Sequence, residues 1–518
     1  MKSLQELVKV VSEYRLDNVP IFSIHNRVDK NSKYNQFLDG ILHNQFSDDD
    51  EAAKELYNCG TDSVKYRVLK NRIKERIYYN VLFIDSGKRK VNSYDGVYLK
   101  LYRHLIVSKF LVGLNAKTAG YELMNKVLNK ALKYQMHDIV QQCSLHFRRQ
   151  SMLEGNNVQF DYYNNMFNTA SNNLMAEVKA EELYYTIIIN FSKSVSHSPD
   201  LINKARECFK SINLLQEQYH TYFINYYDHS IKSIYYQLIS DYKSAIISCD
   251  KFESYLTENP IFYSDARHAN NLVTKGSCYL HLGQYEEGIA CAIEALPLYT
   301  EGSENWFILQ ELYFLLLLNS GRLYGATEIF CRVVNHSRFL ESVRPQLQEI
   351  WKVFGGYLWF LINYYDEDSC IQLLVKEKQT FRFSKLLNEV PFYSRDKKGM
   401  NVAILILQIL LLLEKREYVK IISRTEALKS YIYRNLGKDD AYRSHYFIKM
   451  ILMMEKCQFE PEKTQAKTAD LLEKLKTRDL NYTSTQNHME IIPYEKLWDI
   501  TIDLIKEKKP LKQSLSHV

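Results

Sequence analysis

The chain has 518 residues, 46% of them hydrophobic and 25% charged, a composition that supports a sizeable core and about three or four domains or one elongated array. Seventeen glycines and nine prolines are too few turn formers for a sandwich, a barrel or a glycine-rich nucleotide fold, whereas 40 tyrosines are conspicuous. The net charge of +6 is concentrated: residues 65–90 hold nine basic side chains against Glu75 and Asp85, a balance of +7, which leaves −1 for the remainder.

In chain order, the opening segment MKSLQELVKVVSEYRLDN has charges interrupting each apolar stretch, unlike the continuous apolar core of a secretory signal. Nine scattered cysteines without a CxxC pair match free thiols in a reducing compartment, so the expected location is cytoplasmic. Residues Asn18 to Asn35 are polar, contain Pro20 and lack a period; no helix is expected there. Ser47 to Glu51 opens a short helix, Asn58-Cys59-Gly60 forms a turn, and Thr61-Asp62-Ser63 starts a second helix. That helix carries the apolar stripe Tyr66, Leu69, Ile73 and Ile77, with Lys65, Arg67, Lys70, Arg72, Lys74 and Arg76 around it. Arg67, Lys70 and Lys74 share one exposed strip, while Lys65, Arg72 and Arg76 flank the stripe on its other side. The pair of helices is similar to a DNA-binding helix-turn-helix, although the spacing of Ala53 and Gly60 departs from that pattern. Contact with nucleic acid, contact with an acidic protein surface and a merely solvated face are all open readings of these six cations.

Beyond this window apolar residues recur at helical spacing, which predicts on the order of 20 helices, each of about 12 to 20 residues, and no sheet. Turn signals fall at Gly155-Asn156-Asn157, Ser198-Pro199, Asn259-Pro260, Gly302-Ser303 and Asp396 to Gly399. The most apolar stretch, Val402 to Leu413, contains Gln408 and is shorter than the roughly 20 residues of a membrane span; it reads as a buried helix.

Asn271 to Thr300 reads NLVTKGSCYLHLGQYEEGIACAIEALPLYT. Leu272, Gly276, Tyr279, Gly283, Tyr285, Gly288 and Ala295 stand where a helix-turn-helix repeat needs large, small, aromatic and turn residues. A second unit begins at Trp306 and continues through Leu309, Tyr313, Gly321, Leu323, Ala326 and Phe330, its first helix expected to be about one turn longer. Asp241, Tyr242, Ala245 and Ile246 mark an earlier unit in phase with Gln284, Tyr285, Gly288 and Ile289, and Val402 to Leu428 a weaker later one with Tyr418 opening its second helix. These units resemble tetratricopeptide repeats, with Thr300 in place of the terminal proline and a drifting period. Phe383 to Asn401 and Met489 to Ile500 resemble segments of long helical-repeat proteins of bacteria, which implies a fold and a bacterial setting but no activity.

Motifs for chemistry are scarce. The sequence has no P-loop, HExxH, GxSxG or GxGxxG, and the pairs Cys143/His146 and Cys278/His281 each supply two metal ligands where a structural zinc needs four. Arg332 and His336 are too close for the Arg-x4-6-His pattern of a helical ribonuclease. Glu286-Glu287 and Glu181-Glu182 read as solvated faces. No catalytic residue, metal or cofactor is called for.

In a tetratricopeptide array the first helix of each repeat lines a groove, so the resemblance implies groove positions at Asn270, Val273, Ser277, Leu280 and His281, then at Glu304, Phe307, Glu311, Phe314 and Leu315. Val273 and Ser277 replace the cation and amide of a carboxylate clamp, and Glu304 and Glu311 would repel an anion. An amphipathic helix or an extended basic segment suits such a groove better. The reading is therefore an all-α, degenerate tetratricopeptide-like α-α solenoid. Its expected parts are an N-terminal helical region with the basic helix (1–92), repeats (93–345), degenerate repeats (346–480) and a capping helix with tail (481–518). The expected function is a non-catalytic scaffold or adaptor for a protein or peptide, away from membranes. The alternative is a nucleic-acid-binding regulator that uses the basic helix as contact and the array as sensor.

Overall fold

The computed structural model describes residues 3–5, 7, 32–43, 45–81, 94–191, 199–342, 345–379, 400–435, 442–477 and 490–506. Among them are 22 α-helices, two short 3-10 turns and no strand. The chain groups into two compact units, residues 1–147 and 148–518. The helices directly after the basic window fall in the first of these units.

The first unit holds α1 (Lys33–Leu42), α2 (Asp49–Tyr57), α3 (Val64–Val81), α4 (Tyr94–Gly113), α5 (Lys117–Lys133) and most of α6 (His137–Leu153). Ser32 caps α1 by accepting the Asn35 N–H, so Lys33 to Asn35 are helical where a polar irregular stretch was expected. Residues 18–31 lie outside the described residues. At α2, Asp48 accepts the Glu51 N–H while Glu51 accepts both the N–H and the hydroxyl of Ser47, so the orphan donors of the first turn are satisfied reciprocally. Tyr66, Leu69, Ile73 and Ile77 of α3 are buried with Phe37, Phe46 and Leu56 in a small core. Gly40 is required there: a Cβ at that position would lie 2.0 Å from the Phe46 ring.

The second unit continues with α7 (Asn157–Phe191), α8 (Pro199–Gln218), α9 (Tyr222–Leu238), α10 (Tyr242–Glu258), α11 (Asp265–His281), α12 (Tyr285–Ala295), α13 (Glu304–Ser320) and α14 (Leu323–Val334). It ends with α15 (Phe339–Ser342), α16 (Pro345–Tyr365), α17 (Asp368–Lys376), α18 (Met400–Glu414), α19 (Tyr418–Asn435), α20 (Tyr442–Lys456), α21 (Pro461–Lys476) and α22 (Tyr494–Lys506). Most successive helices pack on each other, and α7–α9, α11–α13, α16–α18 and α20–α22 also touch across one intervening partner. α7 runs 35 residues without a break, longer than any element expected from the sequence.

One turn recurs through the chain. A residue in the left-handed region follows the helix, and the next N–H closes on the carbonyl five residues back, which satisfies carbonyls that the helix end leaves open. Gly283 (φ 69°) and Gly321 (φ 83°) do this between α11 and α12 and between α13 and α14, with Gln284 N–H on Tyr279 O and Arg322 N–H on Leu317 O. Asn115, Gln135, Gly155, Ser240, Asp366 and Arg416 do the same at other links.

α11 and α13 are both 17 residues long, so the first helix of the second repeat is not extended. The added spacing lies in the connection after α12, which includes a 3-10 turn at Leu296–Leu298. α18 is buried from Val402 to Leu413 except at Leu405, because neighbours surround it on every side; a helix apolar all round has no solvent face to keep polar. No helix among the described residues is long and apolar enough to cross a membrane.

Candidate functional site

The first helices of consecutive hairpins, α7, α9, α11 and α13, together line a cavity of about 460 Å³. On α11 the helical period brings Arg267, Asn270, Asn271, Thr274 and Ser277 to the cavity, while Leu272 and Gly276 pack away from it. Apolar walls come from Ile188, Ile234, Val273, Leu280, Leu312 and Leu315.

The polar groups are held in place from behind. Arg267 lies over the rings of Tyr222, Phe223 and Tyr226 at 5.5, 5.3 and 5.6 Å and donates to the Tyr222 hydroxyl at 3.2 Å, so the cation is oriented by aromatic faces. Asn271 donates to the Cys249 carbonyl (3.2 Å) and to Glu253 (3.1 Å), which ties α11 to α10; its own carbonyl oxygen is buried without a hydrogen-bond partner among the described residues. Asn270 accepts from the Tyr299 hydroxyl. His229 is stacked on Phe252 at 4.7 Å, and burial pushes its imidazole down to about 4, so it is a neutral ring at neutral pH.

Asn270, Val273, Ser277 and Glu311 stand in the cavity wall, as do Leu280 and Leu315. Phe307 and Phe314 do not. Phe307 is buried against Trp306, His336 and Phe339, and Phe314 against Trp351 and Phe354. Glu304 is exposed in the first turn of α13 and is not part of the wall, and His281 is buried with its ring stacked on Tyr242 at 4.3 Å. The cause on α13 is register: the wall is formed by Asn305, Ile308, Glu311, Leu312 and Leu315, and a one-residue shift rotates a helix by about 100°. The contributions of α7 and α9, including Tyr184, Tyr226 and His229, were not anticipated. The 43-residue phase between Tyr242 and Tyr285 carries a signal for part of the α9 face, since it maps Val273 onto Ser230 and Ser277 onto Ile234, both in the wall, but none for α7.

On α3, Lys65, Arg67, Arg72 and Arg76 are exposed and Lys70 and Lys74 half-buried. Lys70 is 2.6 Å from Asp49, which also accepts from the Tyr66 hydroxyl. Burial alone would raise the Asp49 carboxyl, but these partners hold it well below the usual carboxylate range. The Arg76 guanidinium sits 4.9 Å from the centroid of the Tyr34 ring. Lys70 and Arg76 therefore serve the contacts of α3 with α2 and α1, and Lys88, Arg89 and Lys90 lie outside the described residues.

Cys143 and Cys278, the sulfurs of the two C-x-x-H pairs, are buried, and burial raises both thiols, Cys143 to about 12. Among the described residues no group of three or more His, Cys, Asp or Glu is placed to hold a metal ion. No protein-family model, curated protein or solved structure matches the chain.

Proposed function

We propose that the chain is a non-catalytic interaction scaffold, a degenerate tetratricopeptide-like α-α solenoid of the cytoplasm that takes a protein or peptide segment in the cavity of α7, α9, α11 and α13. One observation carries this reading: four first helices, separated in sequence by their packing partners, turn polar and apolar side chains into one shared cavity. Alternation of lining and backing helices supports the reading, because hairpins stacked so as to bury one another's faces would share one such side. The mixture of amides, hydroxyls, aliphatic walls and two charges suits a peptide better than a small metabolite.

A photo-crosslinking amino acid at Ser277 tests this in the native cell. The expected result is a discrete crosslinked protein partner that is absent when the same group is placed at Glu287 on α12. Equal capture at the two positions removes the reading. A second reading, contact with nucleic acid through α3, draws on the exposed Lys65, Arg67 and Arg72. It requires duplex or single-stranded probes to bind with an affinity that falls between about 50 and 200 mM salt.

A further inference from the structure

The open cavity continues into a stretch of the same face that is already occupied. Glu311, Leu315 and Asn319 follow one another at four-residue spacing on α13. Glu311 and Leu315 line the cavity, whereas Asn319 donates to the Ile491 carbonyl at 3.1 Å. From there residues 490–506 cross the first helices of the later hairpins. α22 packs on α21, the helix before it, and on the first helices α18 and α20, and the Tyr364 hydroxyl of α16 donates to Asp503 at 3.3 Å. α22 is amphipathic with a wide buried face: Tyr494, Leu497, Trp498 and Thr501 at i, i+3, i+4 and i+7 are joined by Ile500 and Ile502, while Asp499, Asp503 and Lys506 stay exposed.

The start of this docked segment is fixed by charge. Arg443, in the first turn of α20, donates through Nε and Nη2 to the two oxygens of Glu490 at 2.9 and 2.7 Å, and through Nη2 to Glu495 at 2.6 Å. Arg267 stands in the first turn of α11 and at the wall of the open cavity, so each stretch of the face has a guanidinium at the same end of a first helix.

We infer that the open cavity takes an amphipathic helix of the same chemistry as α22, supplied by another protein, with a carboxylate at its N-terminal end paired to Arg267 and its apolar stripe on Val273, Leu312 and Leu315. This rests on the cavity being a peptide site, as proposed above. α22 is the precedent for what this face accepts, and of the two occupants expected from the sequence it favours the amphipathic helix over the extended basic segment.

The test uses the full chain and a fluorescein-labelled synthetic peptide of residues 490–506, followed by anisotropy. Saturable binding is expected, weakened at least about tenfold by Thr274→Arg in the protein and by Glu490→Lys with Glu495→Lys in the peptide. The charge-reversed peptide should recover most of that loss on an Arg267→Glu chain. Because Arg267 packs on three rings, the reversal in the peptide keeps the test valid if that variant does not fold. Binding that Thr274→Arg leaves unchanged means that the peptide has displaced the resident segment, and overturns the inference. If this peptide fails while extended basic peptides bind in a Thr274→Arg-sensitive manner, the inference falls and the groove reading stands. If neither class binds, both fall.

Discussion

Within the second unit, the first helices from α7 to α11 and those from α16 to α20 solve the same packing problem with different side chains. α11 presents Asn270, Asn271, Thr274 and Ser277 to an open cavity, while α18, covered by α22, is aliphatic on nearly every face. Between these two helices, the polar face is the one left open and the aliphatic face is the one covered. Uncovered amides and hydroxyls keep water as a partner, whereas covered positions gain more from apolar burial.

The sharpest test of this contrast compares the two arginines. Arg443→Met leaves Glu490 buried beside Glu495 without its cation and should cost about 3–5 kcal/mol, read as a lowered urea midpoint of the full chain. Arg267→Met loses a cation over aromatic rings and should cost nearer 1 kcal/mol in the same titration. Equal losses would mean that the two stretches are supported alike. Gly288 of α12 comes next: a Cβ there would lie 2.5 Å from the buried Leu316, so Gly288→Leu should cost about 1–3 kcal/mol by overpacking, measured as a drop in Tm. Asn271→Ala removes two hydrogen bonds between α11 and α10 and should cost about 1–2 kcal/mol. Thr274→Val, in the open wall, should change stability by less than about 0.5 kcal/mol.

Acidification separates the stretches in another way. His229 in the folded chain titrates at about 4, below the ordinary value of 6.5, because burial disfavours its charged form. Its contribution is fully present above about pH 6.5 and is lost as pH falls toward 4, at roughly 1 kcal/mol per unit, since the unfolded state takes up the proton first. Replacing His229 with Gln should flatten that limb of the stability profile; an unaltered limb would assign it to other groups.

Much of this architecture was legible in residue spacing. The α3 stripe, the hairpin turns at Gly283 and Gly321 and the enclosed Val402–Leu413 helix follow from period and from glycine's tolerance of positive φ. The turns at Gln135, Ser240 and Arg416 were not, because no glycine marks them; the surrounding helices impose a conformation that these residues adopt at a cost of about 1–2 kcal/mol each. The cavity was half legible. On α11 the repeat phase leads to Asn270, Val273, Ser277 and Leu280 but not away from His281; on α13 it leads to Glu311 and Leu315 but to Glu304 and Phe307 in place of Asn305 and Ile308, and a groove lined by four helices depends on contacts that local periodicity does not encode. The reach of residues 490–506 back to Asn319 is the most remote of these contacts, and Glu490 and Arg443, far apart in sequence, carry no shared pattern.

That reach also sets a timetable. During synthesis α18 leaves the ribosome well before residues 490–506 exist, and at about 5–20 residues per second the face it turns to α22 stays bare for roughly 5–20 s. Through that interval this helix, the most aliphatic among the described residues, is the natural target for a chaperone. A chain stopped before Glu490 should stay in that exposed condition and aggregate, whatever the state of the hairpins made earlier.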